Sequence, residues 1–332
     1  MKNNFSNKSE AELMSYIADM DQLAYARTLI LDEGDGKGCR LIEADNGTGL
    51  HFVVAADRGM GLTECSIDGI NVAWRSPRGY SDGRNLNFLA DWQGGLMTPC
   101  GLRHTGGPEG DQPLHGKINM SSAEQLSVKC EWLDGKYRVQ ISGLLREASM
   151  FGENLRLRRT ITTFMGDNTI YIDDEVKNLG PYDDYLVMLY HCNFGYPLID
   201  ENVIYSGDDA EVLARNEDAK KNIDKYTVMP PPTANVPEEV FFHIVKPDAN
   251  NCCTATLTNE KSKLQAIISS AADELPFIAQ WKSFEKGRYV CGIEPTNSLL
   301  AGRAGEIEAG RARKIAPLET VNYHMSISLK SL

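Results

Sequence analysis

The 332-residue sequence lacks any stretch approaching the roughly 18 apolar residues of a membrane-spanning helix. It has no long run of lysine and arginine, which argues against a polybasic membrane patch. The glycine-rich signatures G-x-G-x-x-G and G-x-x-x-x-G-K-[ST] are both missing, and with them the usual nucleotide-binding loops. None of its eight cysteines forms a C-x-x-C pair, so a zinc ribbon is not supported, and buried free thiols are expected. Strand-like segments do not alternate regularly with long helices, which disfavours a parallel α/β fold.

What is present is an acidic, ordinary globular composition. There are 46 acidic and 34 basic residues, for a net charge of −12. Such a surface repels phosphate backbones, and no nucleic-acid partner is expected. With 42% hydrophobic and 24% charged residues, the chain is long and apolar enough to bury a substantial core. The opening Met1–Glu10 is polar, so no secretory leader is expected and a cytoplasmic location is the default.

One helix is expected near the start, where Ser9 and Glu12 form a capping-box pattern and Ala11, Leu13, Met14 and Ile17 recur at helical spacing. The rest reads mostly as strands. Leu126, Val128, Cys130 and Trp132 alternate with polar residues, Asp134-Gly135 supplies a hairpin turn, and Tyr137, Val139 and Ile141 resume the alternation. Residues 155–164 and 169–176 form a second pair. Further strands are expected at 50–55, 185–190, 240–245, 254–258, 264–268, 277–281, 289–293 and 321–329. The fold class that follows is all-β, a large antiparallel sandwich with a short N-terminal helix. Residues 1–21 read as a helical extension and 22–332 as one domain. The polar segment from Glu201 to Glu239, with its three consecutive prolines 230–232, reads as an insertion that runs over the surface or borders a site.

Three segments carry candidate chemistry. Residues 94–106, continuing to Pro113-Leu114-His115-Gly116, are too rich in glycine and proline for a helix, and are read as a loop that brings Arg103, His104 and His115 together. His191 lies near the end of an apolar strand, followed by Asn193. Glu294 also follows an apolar strand, where a carboxylate is costly to bury without a partner and could serve as a base of shifted pKa. Structural readings stand beside these. Arg103 could be an ion-pair partner, His104 could bond a backbone carbonyl, and Trp281 could be core. His51, His243 and His324 are read as structural. The stripe Arg156, Arg158 and Arg159 is read as a solvated strand face.

Pro113-Leu114-His115-Gly116, Tyr190-His191-Cys192-Asn193-Phe194-Gly195 and Cys291-Gly292-Ile293-Glu294-Pro295 resemble, in this order, motifs of the galactose mutarotase (aldose 1-epimerase) superfamily. The resemblance is to its uncharacterised aldose-1-epimerase-like branch, a domain of unknown function. Residues 57–60 and 68–74 look like that branch's opening strands. The resemblance implies a β-supersandwich with a sugar-binding cleft across one sheet face. It implies an aldose 1-epimerase interconverting α and β anomers, with Glu294 as base, His191 as acid, and no metal or organic cofactor. His115, Arg103, His104, Asn193 and Trp281 would bind the substrate. No motif places the family's substrate-binding aspartate, for which Asp200 is the one candidate. The implied partner is a small sugar, and a homodimer stays open. A non-catalytic sugar-binding protein on the same fold is the alternative. A metalloenzyme using His104, His115, His191 and Glu294 ranks third, and polysaccharide lyase or hydrolase chemistry is a lesser option.

Overall fold

The computed structural model describes residues 4–83 and 87–332. Two antiparallel sheets dominate it, one of twelve strands and one of eight. In the larger sheet six strands lie side by side: Gly61–Ile67, Met97–Leu102, Asp184–Phe194, Arg288–Thr296, Phe277–Glu285 and Glu239–Val245. The expected hairpin forms as Glu124–Leu133 and Lys136–Ala148 in the smaller sheet, with Asp134 and Gly135 both at positive φ. The other anticipated strands are present, most of them extended by a few residues.

The strand Asp184–Phe194 shows how the sequence positions a site. Leu186, Met188, Tyr190, Cys192 and Phe194 join the core between the sheets. The alternate residues point to the opposite face, where Leu189 packs with Phe88, Trp92, Val240 and Ala279 in a second apolar cluster. A strand covered on both sides reads as a nearly continuous apolar run, which is why a histidine within it stands out.

Three expectations need correction. Met97–Leu102 is a strand, although its segment was expected to be a loop. Gly101 permits this: it sits at φ 93°, and a Cβ there would strike the Val187 carbonyl. Residues 201–239 are more than a polar excursion, since Asp209–Ala214 pairs with Glu239–Val245 at the edge of the larger sheet. Arg159 is fully buried between the sheets: its Nε donates to Asp174 Oδ1 at 2.9 Å, and Tyr190 Oη donates to Asp174 Oδ2 at 2.7 Å. A buried charge of this kind is tolerable only when paired and hydrogen-bonded.

The N-terminal helix Glu10–Met14 carries the expected reciprocal Ser9–Glu12 cap. Leu13 and Met20 pack there with Tyr137 and Met165. Among the described residues no helix is long and apolar enough to cross a membrane.

Candidate active site

On the face of the larger sheet away from the core, the register of two adjacent strands sets His191 directly opposite Glu294. His191 Nδ1 lies 3.2 Å from Glu294 Oε1. Both residues are almost fully buried. The two atoms are close, but neither makes a well-directed hydrogen bond. Glu294 has room because its neighbours are small. Ala279 faces it on one side, and a Cβ on Gly292 would collide with its carboxylate oxygen.

Aromatic rings surround the imidazole. Trp92, Trp281 and His115 stand edge-on to His191, with centroids 5.1, 5.4 and 5.7 Å away. Trp92 is fixed by its indole N–H, which donates to Thr98 Oγ1 at 2.9 Å, and Thr98 is the cross-strand neighbour of His191. Trp281 donates its indole N–H to Glu238 at 2.8 Å. His115 reaches the site from a loop with φ 60°. Its N–H donates to the Gly106 carbonyl at 3.0 Å, and its Nδ1 accepts from the Gly106 N–H at 3.4 Å. That contact leaves Nε2 to carry the proton of the neutral ring.

Burial sets the protonation. It raises the Glu294 carboxyl well above its ordinary value; nearby Arg215 pulls it back down and Glu238 pushes it further up. Burial lowers His191 to about 4, against a smaller opposing contribution from Asn193. His115 is pushed well down by burial and by His191 and Arg215. Burial thus disfavours the charged form of all three groups.

These groups line a cavity of about 740 Å³, within the range of small-molecule sites. Phe88, Leu300, Arg215 and Glu238 are among its other wall residues. Of the residues expected to act here, Glu294, His191, His115 and Trp281 line the cavity. Asn193 lies behind the wall: its Nδ2 donates to the Gly95 and His191 carbonyls, which positions the histidine's strand.

Arg103 and His104 do not belong to the cavity. The Arg103 guanidinium is held by Asp184 and Glu153, each at 3.0 Å. His104 is fully buried, with Nε2 2.6 Å from the Gly107 carbonyl and Nδ1 accepting from the Arg303 N–H at 3.3 Å. It ties the loop to the helix Gly302–Glu308. Asp200 is also elsewhere, accepting from Asn259 Nδ2 at 2.8 Å and lining a different cavity. The aspartate on this cavity's wall is Asp111, paired with Lys117 at 2.5 Å. His51, His243 and His324 each meet a carboxylate away from the cavity. Among the described residues no three His, Cys, Asp or Glu side chains converge to hold a metal.

Sequence reasoning missed Arg215 and Glu238. Both fall within residues 201–239, whose polar character pointed to a site border without singling out either one.

Comparison with known proteins gives the chain's family and fold. The family described as Domain of unknown function (DUF4432) matches residues 36–329. A search of the curated proteins finds no match. A solved structure from Klebsiella pneumoniae, described as a candidate aldose 1-epimerase, is 22% identical with a TM-score of 0.85, covering 97% of this chain and 90% of that one. A galactose mutarotase-like protein from Clostridium acetobutylicum is 14% identical with a TM-score of 0.66, covering 94% and 100%. A galactose 1-epimerase from Lactobacillus acidophilus is 13% identical with a TM-score of 0.62, covering 92% and 99%. At these identities the likeness is one of fold. The chain thus belongs to the DUF4432 family and has the all-β sandwich of the galactose mutarotase-like proteins.

Proposed function

We propose that this protein is an aldose 1-epimerase that needs no cofactor, interconverting the α and β anomers of an aldose or modified sugar. The supporting observation is the buried His191–Glu294 pair at the floor of a sugar-sized cavity, with one unsatisfied polar atom on each partner. A buried polar atom left without a hydrogen bond costs stability, and a ligand hydroxyl would recover that cost.

Ring opening needs a proton removed from the anomeric hydroxyl and one delivered to the ring oxygen as the C1–O5 bond breaks. The open aldehyde rotates about C1–C2, and the reverse transfers close the ring. The family resemblance assigns the base to Glu294 and the acid to His191. The direction of both shifts favours the exchanged roles for opening, in which His191 accepts the O1 proton and Glu294, its carboxyl raised by burial, supplies one to O5. Closure returns both protons. Trp281 and Trp92 offer flat apolar faces to the sugar's C–H surface, and His115 Nε2 and Arg215 offer donors to its hydroxyls.

Anomer exchange followed by NMR across neutral, acidic and phosphorylated sugars tests this reading. Wild type should accelerate exchange for at least one class, and Glu294→Gln should lose about 10²–10⁴-fold. The kcat/KM profile should fall on the acid side as His191 takes a proton, with a midpoint near about 4. Sugar binding with no acceleration by wild type would leave a binding protein on this fold.

A further inference from the structure

A second cavity, of about 680 Å³, lies beside the first. The two share a ridge formed by Leu89, Trp92, Glu238 and Trp281, each of which lines both. The second is otherwise walled by Trp74, Arg78, Ser283 and Arg288, among others. Trp74 lies 5.1 Å from Trp92 and meets Trp281 edge-on at 6.3 Å, so three indoles form one aromatic patch across both cavities. Leu89 on the ridge is 72% exposed. The first cavity alone is large enough for one small ligand. Nothing in the proton transfers calls for the second.

The patch has the chemistry of a sugar site. Indole faces suit the apolar C–H face of a pyranose, and Arg78, Arg288 and Glu238 place hydrogen-bonding groups around the rim where hydroxyls would lie. Arg78 is paired with Asp35 and Asp91, and Arg288 with Glu285.

We propose that the second cavity is a subsite for a second sugar ring, glycosidically linked to the sugar whose anomeric carbon sits over His191 and Glu294. The substrate class is then a reducing oligosaccharide. This rests on the reading that the first cavity takes an aldose.

The test compares glucose and galactose with reducing disaccharides: maltose, cellobiose, lactose and melibiose. Anomer exchange is measured by NMR and binding by quenching of intrinsic tryptophan fluorescence. At least one disaccharide should exceed its reducing-end monosaccharide in kcat/KM by about tenfold, the effect of one well-stacked ring. Ser283→Trp, which fills the second cavity, should abolish that advantage and leave the monosaccharide constants unchanged. Trp74→Ala should weaken the disaccharide selectively. Disaccharides no better than monosaccharides, or an advantage that survives Ser283→Trp, would overturn the inference. If no sugar is turned over, tighter disaccharide binding that Ser283→Trp removes would sustain the second subsite and defeat the epimerase reading. Absence of disaccharide binding would overturn the subsite itself.

Discussion

At the scale of single residues, His191 and Glu294 are held where water would otherwise stabilise their charges. Burial raises the Glu294 pKa and lowers that of His191, so it favours the neutral form of each. This carries a stability cost whose sign can be worked out. In the unfolded chain Glu294 ionises above about pH 4, while the folded site holds its proton to higher pH. Folding stability therefore falls as pH rises past that value. Glutamine has no proton to retain. Glu294→Gln should thus melt a few degrees higher than wild type at pH 7, with the gap closing below about pH 4, while its activity is lost. Thermal denaturation of both proteins across pH checks this, and a variant that melts no higher than wild type at about pH 7, or a gap that is the same at about pH 4 and pH 7, would contradict it. Both residues were legible in the sequence because each interrupts an apolar strand. Arg103 and His104 were not separable from them, since Asp184, Glu153 and Arg303 lie far away along the chain and leave no local signature.

At the scale of elements, the site is built by strand register. Antiparallel pairing places His191 opposite Glu294, Thr98 opposite His191, and Ala279 opposite Glu294. The alternation of residues along these strands was readable, and so was the hairpin turn at Asp134-Gly135. Strand neighbours were not, because pairings such as Met97–Leu102 with Asp184–Phe194 join distant segments. The strand at Met97–Leu102 was hidden by its proline and glycine, which read as loop signals until packing supplies the reason for them. Gly292 tests the register directly. A methyl there would press on the Glu294 carboxylate and on Trp281. Gly292→Ala should lower kcat/KM at least as strongly as it lowers stability, costing about 1–3 kcal/mol in melting experiments. An unchanged pH profile and unchanged rate would show that Glu294 does not occupy this position in the working protein.

At the scale of the whole molecule, the all-β sandwich followed from the spacing of strands and turn signals, and the family resemblance from the order of three short motifs along the chain. The division of the chain is a proposal: residues 1–21 as an extension, and the rest as the sugar-binding unit. The extension contributes Leu13 and Met20 to a cluster that also covers Tyr137 and Met165. Deleting residues 1–21 should therefore destabilise the protein by roughly 3–6 kcal/mol, from two buried side chains, without changing the anomer-exchange rate of the folded fraction. Denaturant titration with parallel rate measurements checks both parts, and loss of activity in the folded fraction would refute the division. Oligosaccharide selection also belongs to this scale, since the aromatic patch draws Trp74, Trp92 and Trp281 from separate segments. The central claim is that the His191–Glu294 pair moves protons at an anomeric carbon. NMR exchange spectroscopy on the sugar panel, comparing wild type with Glu294→Gln, tests it most directly. Acceleration by wild type alone is the expected result. Equal exchange rates with and without wild-type protein, across every sugar, would contradict it.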